Sequence, residues 1–135
     1  MKIYKDKIFA RFARRQHISD AMLCEAVERA NRGLIDADLG GGVIKQRVAR
    51  PNEGRSGGFR TLIFFRVEDR AFFAFGFAKN DLGNISDSDL NILKNTAKVT
   101  LNLTDEAIET LLTTDQLTEV NCDENNEQDD ETPNL

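Results

Sequence analysis

The chain has 135 residues, 40% of them hydrophobic, enough for one cored domain and too apolar for wholesale disorder. Its longest apolar run, Ala71 to Ala78, is far too short for a membrane helix, and the charged start Met1-Lys2-Ile3-Tyr4-Lys5-Asp6 does not look like a secretory leader. The expectation is a cytoplasmic protein in which Cys24 and Cys122 stay reduced, since two cysteines make neither a disulfide framework nor metal-ligand spacing. The net charge of −5 conceals a split. Residues 1–79 carry 16 of the 18 Lys and Arg with 9 of the 23 Asp and Glu, a balance of +7; residues 80–135 carry 2 basic and 14 acidic residues, a balance of −12. The first segment has the electrostatic footprint of a polyanion binder. An ordinary solvated basic surface balanced by an acidic tail would give the same composition.

Helical spacing opens the chain. Ile8, Phe9, Phe12 and Ala13 form one apolar stripe on a helix from about Asp6 to Arg15, with Lys7, Arg11, Arg14 and Arg15 as a basic stripe beside it. Ser19 is a good N-cap for a second helix with Met22, Leu23, Ala26, Val27 and Ala30 buried, and Gly33 ends it. His17, between the two, reads as a capping or surface residue. Val43 to Arg50 has strand alternation: Val43, Lys45, Arg47 and Ala49 point one way, and Ile44, Gln46, Val48 and Arg50 the other. Pro51 to Gly58 has loop composition. Phe59–Val67 and Arg70–Ala78 read as strands joined at Glu68-Asp69, with Phe73, Phe75 and Phe77 on one face and Phe72, Ala74 and Gly76 on the other. Arg66 and Arg70, at the far end of this hairpin, read as surface charges.

Ser86 or Asp87 caps a further helix to about Leu101. Thr104 starts a short one with Ile108, Leu111 and Leu112 as its apolar face, and Leu117 to Val120 has the composition of a small strand. From Cys122 the chain is acidic and almost without apolar residues, so a disordered tail is expected over residues 123–135, after a domain over residues 1–122. The tail either solubilises the protein or folds back on the basic strand surface. The order of elements predicts a small α+β domain.

Three segments carry a resemblance: Ala37-Asp38-Leu39-Gly40-Gly41-Gly42-Val43-Ile44-Lys45-Gln46-Arg47-Val48-Ala49-Arg50, then Ser56-Gly57-Gly58-Phe59-Arg60-Thr61, then Phe75-Gly76-Phe77-Ala78-Lys79-Asn80. Together they resemble the RelE/HigB-type toxins of bacterial toxin–antitoxin systems, over about nine-tenths of the chain. The resemblance implies a small antiparallel sheet with two N-terminal helices packed on it and further helices at the C-terminal end. It also implies a cognate antitoxin, often a helix-turn-helix repressor encoded nearby, and cleavage of mRNA on the ribosome without a metal or other cofactor. The related ParE branch inhibits DNA gyrase on much the same fold, and a relative that has lost catalysis would only bind its antitoxin, so the fold leaves these alternatives open.

Metal-free RNA cleavage needs a base for the ribose 2′-hydroxyl, positive charge on the developing phosphorane and a proton for the leaving oxygen. A single histidine excludes a two-histidine mechanism, so Lys and Arg must carry the chemistry. Lys45 and Arg47 share a strand face, and a neighbouring cation together with desolvation lowers the pKa of a lysine, which suits Lys45 to act as a base. A solubilising pair of strand charges is the plain alternative. Arg60 resembles the family's phosphate-binding arginine, whose planar fork holds two phosphate oxygens, and Gly57-Gly58 would permit close backbone approach. Lys79 stands where RelE carries an arginine important for the transition state, with Asn80 beside it as a neutral hydrogen-bonding group. Lys45, Arg47, Arg60 and Lys79 are therefore the catalytic candidates. Arg50, Arg55, Asn80, Arg11, Arg14 and Arg15 are the candidates for holding RNA. RelE's C-terminal tyrosine has no counterpart here, since Tyr4 is the only tyrosine of the chain.

Overall fold

Apolar side chains on both sides of the strands build a sheet that is buried on both faces. The computed structural model describes residues 1–50, 54–77 and 85–122. In chain order the elements are β1 (Lys2–Asp6), α1 (Lys7–Gln16), α2 (Asp20–Asn31), β2 (Ala37–Gly40), β3 (Val43–Arg50), β4 (Gly54–Arg66), β5 (Arg70–Phe77), α3 (Asp87–Leu101), α4 (Asp105–Thr113) and β6 (Leu117–Glu119). The strands form one sheet in the order β2-β3-β4-β5-β1-β6, antiparallel except where β1 lies parallel to β5. This is the expected α+β domain. Against one face pack Phe9 and Ala13 of α1 and Leu23, Ala26, Val27 and Ala30 of α2, meeting Ile44, Val48, Phe59, Ile63 and Phe73. Against the other pack Ala97 and Leu101 of α3 and Ile108 of α4, meeting Tyr4, Val43, Leu62, Phe64, Phe72 and Ala74.

The helix boundaries follow from their caps. Asp6 accepts from the Phe9 N–H at 2.7 Å and starts α1, and His17 ends it in a left-handed conformation at φ 58°, as the capping reading anticipates. Burial pushes the Asp6 carboxyl up, opposed by N–H donation from Phe9 and Ile8. Ser19, Ser86 and Thr104 cap α2, α3 and α4 through their hydroxyls. The α1 stripe is rotated from its predicted position: Phe9, Ala10 and Ala13 are buried, whereas Ile8 is 63% exposed. The reason lies in β1, which feeds directly into the helix and turns Phe9, not Ile8, onto the sheet.

Four further corrections concern the sheet. β1 and β2 were not anticipated, because five residues alternating Lys, Ile, Tyr, Lys and Asp, and four residues ending at a glycine, carry little strand signal without their partners. The predicted loop over Pro51–Gly58 is largely strand, since β4 begins at Gly54, opposite Arg50. Gly58 serves the β3–β4 contact: a Cβ there would lie 2.0 Å from the Val48 carbonyl oxygen, next to the irregularity between Val48 and Arg50. Arg70 is not a surface charge. Its side chain is mostly covered and donates to the Leu103 carbonyl at 2.7 Å, tying β5 to the α3–α4 junction.

The cysteines are also corrected. Cys24 of α2 and Cys122 form a disulfide, with Cα atoms 5.7 Å apart and a separation of 98 positions in sequence. β6 pairs with β1, the Val120 N–H donates to the Ile3 carbonyl at 2.8 Å, and the Asn121 N–H donates to Asp20 Oδ2 at 2.9 Å. These bonds deliver Cys122 to the α2 surface. The acidic tail lies outside the described residues; the chain reaches it beside Met1 and Lys2, at the end of the sheet opposite Arg60 and Phe77.

Cross-linking so long a loop should contribute about 2–4 kcal/mol. Cys24→Ser is therefore expected to lower the thermal midpoint, and reductant to bring the wild type down to the same midpoint while leaving Cys24→Ser unchanged. Tyr4 offers a second test. It is 6% exposed and stacked on Phe72 at a centroid distance of 5.1 Å, and burial pushes its phenol above the ordinary 10.0. A raised folded-state pKa makes the folded protein bind more protons than the unfolded chain above pH 10, so stability should fall as pH rises through the phenol's own titration. With a single tyrosine and no tryptophan, phenolate absorbance reads that titration directly.

Candidate functional site

Strand register decides which of the basic residues meet. Lys45 of β3 lies opposite Leu62 of β4, and Arg47 opposite Arg60. Leu62 in turn faces Phe75 of β5, and Arg60 faces Phe77. Val43, Leu62 and Phe64 turn to the α3–α4 side, so by alternation Lys45, Arg47 and Arg60 stand on that side too. All three are half-buried. Two guanidinium groups directly opposite on one sheet face repel each other, which costs a few tenths of a kcal/mol to ~1 kcal/mol unless an anion lies between or beside them.

One such anion is Asp36, which the sequence reading missed. Its Oδ2 accepts the Arg47 backbone N–H at 2.7 Å, and its Oδ1 lies 3.4 Å from Arg47 Nη2. The hairpin of β2 and β3 brings Asp36 there, and nothing in the spacing of Asp36 and Arg47 signals it before that hairpin is known. Arg29, buried on α2, donates to the Arg47 carbonyl, so both the N–H and the C=O of Arg47 are held by side chains. Lys45 and Arg60 differ from Arg47: among the described residues neither meets a carboxylate, and Arg60 makes only a long 3.5 Å contact to the Gly58 carbonyl.

The strand beneath these cations is fixed by a buried amide. Gln46 points to the α2 side and is fully buried, with its Nε2 donating to the Ala26 and Leu34 carbonyls at 2.9 and 3.1 Å and its Oε1 accepting from the Asp36 N–H at 2.9 Å. Thr61, also buried, donates to the Gln46 carbonyl at 2.8 Å. Leaving such a group unpaired would cost ~1–3 kcal/mol, so the network holds β3 in one register. It thereby aims Lys45 and Arg47 at the opposite face.

A bulge in β5 completes the site. Ile63 pairs with Phe73 but Leu62 pairs with Phe75, leaving Ala74 as an extra residue. Past it the faces exchange. Phe73 is buried under α1 and α2, whereas Phe75 and Phe77 line the α3 side. Gly76 lies beneath α1, where a Cβ would fall 2.3 Å from the Phe12 ring. The expected common face of Phe73, Phe75 and Phe77 is thus corrected, and Phe75 is 39% exposed, not core.

Other candidates stand apart. Arg11, Arg14 and Arg15 are exposed on α1, across the sheet from the strand cations. Lys79 and Asn80, and the side chains of Arg50 and Arg55, lie outside the described residues. Among the described residues no helix is long and apolar enough to cross a membrane, and no three His, Cys, Asp or Glu side chains gather to hold a metal ion.

A family model described as the RelE toxin of the RelE/RelB toxin–antitoxin system matches residues 1–120. Together with the α+β sheet this defines the molecule as the toxin of a toxin–antitoxin module, with an antitoxin as its partner. The chain belongs to the RelE toxin family. A comparison with curated proteins yields no match.

The exchange of faces predicts a contrast between two phenylalanines only two residues apart on β5. Phe73→Ala, which empties a fully buried site, should cost ~3–5 kcal/mol, and Phe75→Ala less than ~1 kcal/mol. Denaturant midpoints of the two variants measure the difference.

Proposed function

We propose that the protein is a ribosome-dependent endoribonuclease that cuts mRNA in the cytoplasm by attack of a ribose 2′-hydroxyl on the adjacent phosphate. The observation that carries this reading is the register of β3 and β4, which sets Lys45, Arg47 and Arg60 together on one sheet face with like charges opposed. That arrangement suits a phosphate group, whose negative charge grows as the phosphorane forms. The family supports the toxin; the cations support the cutting.

The roles divide by chemistry. Arginine does not deprotonate in proteins, so of the three cations only Lys45 can become neutral and accept the 2′-hydroxyl proton. As it does, the 2′-oxygen bonds to phosphorus, the bond to the 5′-oxygen breaks, and the 5′-oxygen takes up a proton, leaving a cyclic phosphate and a free 5′-hydroxyl. Arg60, unpaired with any carboxylate among the described residues, is the proposed phosphate fork. Arg47, tied to Asp36, supplies charge from a fixed position. Lys79 is proposed as a further source of charge, with Arg50, Arg55 and Asn80 along the RNA path. The exposed Arg11, Arg14 and Arg15 are proposed to rest on ribosomal RNA. A helix-turn-helix repressor encoded nearby is the proposed antitoxin.

Lys45→Ala and Arg60→Ala should each abolish growth inhibition while remaining folded, because neither side chain is part of the core. Arg47→Ala should weaken it less completely, since Lys45 and Arg60 keep local charge. Mapping the 5′ ends of cellular mRNA after expression decides the reaction. Codon-phased ends that vanish in Lys45→Ala support it; intact mRNA with induction of the DNA-damage response would instead mean a gyrase inhibitor.

A further inference from the structure

The aromatic side of the site has no part in the cutting chemistry. Two rows of side chains cross the sheet on one face, Lys45–Leu62–Phe75 and Arg47–Arg60–Phe77, and each runs from cations to a phenylalanine ring. Beyond the rings, Ile85 and the α3 residues Asp89, Ile92 and Leu93 complete an open groove of about 390 Å³. All nine phenylalanines are described, and Phe75 alone among them is exposed. The bulge at Ala74 is what puts it there: with regular alternation its ring would lie under α1.

We propose that this groove is a nucleobase subsite, in which Phe75 stacks on the base of a nucleotide whose phosphate rests on Lys45 and Arg60, and Asp89 at the rim selects the base. The inference rests on the RNA-cutting reading above and assigns it a base-binding residue. Strands lie about 4.8 Å apart, so the Phe75 column stands one strand spacing from the Arg60 column and two, ~10 Å, from that of Lys45. A phosphate–ribose–base unit bridges that gap. Cations leading to an exposed aromatic ring on a sheet face are the arrangement that single-stranded RNA uses, backbone on the charges and base on the ring. An apolar polypeptide would use the groove but leave the cation rows idle.

Asp89 gives the subsite a direction. It is exposed at the first turn of α3, and an ionised carboxylate only accepts hydrogen bonds. Guanine offers it two adjacent donors on its Watson–Crick edge, N1–H and the 2-amino group. Adenine and cytosine offer one amino group each. Uracil flanks its single N–H with two carbonyl oxygens, which a carboxylate repels. The expected order therefore begins with guanine and ends with uracil.

The test measures affinity of the full chain for a short single-stranded RNA carrying guanine, uracil or no base at one position. Wild type should bind the guanine strand ~10-fold more tightly than the abasic one. Phe75→Leu, which keeps apolar bulk but not the ring, should erase that gap; Phe75→Trp should restore it; Asp89→Asn should narrow the difference between guanine and uracil. No gap in the wild type, or a gap untouched by Phe75→Leu, overturns the subsite. So does a Phe75→Leu protein that loses affinity for its antitoxin but keeps the base-dependent gap, because the groove would then belong to the antitoxin. The cutting reading is judged separately by mRNA end mapping. Base-dependent binding with intact mRNA would retire the cutting and keep the subsite. Cut mRNA with no dependence of binding on Phe75 would do the reverse.

Discussion

Burial of the sheet on both faces is the constraint from which the rest of the molecule follows. With α1 and α2 on one side and α3 and α4 on the other, a polar side chain on a central strand has two options. It is matched by hydrogen bonds, as Gln46 and Thr61 are, or it stands where the helices leave the sheet uncovered, as Lys45, Arg47 and Arg60 do. The desolvation cost of an unmatched buried polar group makes these the only stable solutions. The charged corner is thus a consequence of how far α3 reaches along β3 and β4.

The second decision is made by one extra residue. Side-chain period along a strand is two, so a single bulge moves every later side chain to the opposite face. In β5 it separates Phe73, packed against Phe9 at a centroid distance of 5.1 Å, from Phe75 and Phe77 on the α3 side. The same element therefore anchors the helical core with its first half and furnishes the site with its second. Gly76 is the counterpart on the other face, its missing side chain giving the Phe12 ring room.

Electrostatics are arranged around the strain of placing Arg47 opposite Arg60. Asp36 offsets part of it by holding Arg47 through both its guanidinium and its backbone N–H. The Asp36 N–H is in turn held by Gln46, whose amide also ties the Ala26 carbonyl of α2 to the Leu34 carbonyl beyond the helix. Core polarity and site polarity are therefore one network: a change at Gln46 would reach the guanidinium of Arg47 through a single carboxylate.

Much of this was legible in the amino-acid order. Period-3.6 spacing with Ser19, Ser86 and Thr104 as caps located the helices, and the alternation of β3 put Lys45 and Arg47 on one face, because these patterns depend on neighbours within a few residues. The motifs around Lys45, Arg60 and Phe77 pointed to the RelE family. What the order could not show depends on contacts between distant segments. β1 is a strand only because β5 and β6 flank it. Asp36 meets Arg47 only once the β2–β3 hairpin closes, and Cys24 meets Cys122, 98 positions away, only once the chain between them has folded. The bulge that exposes Phe75 arises from the register of β4 against β5, a property of the pair that neither strand's sequence contains. Local periodicity determined the elements and the charges they carry; tertiary pairing decided which of those charges, rings and thiols face one another.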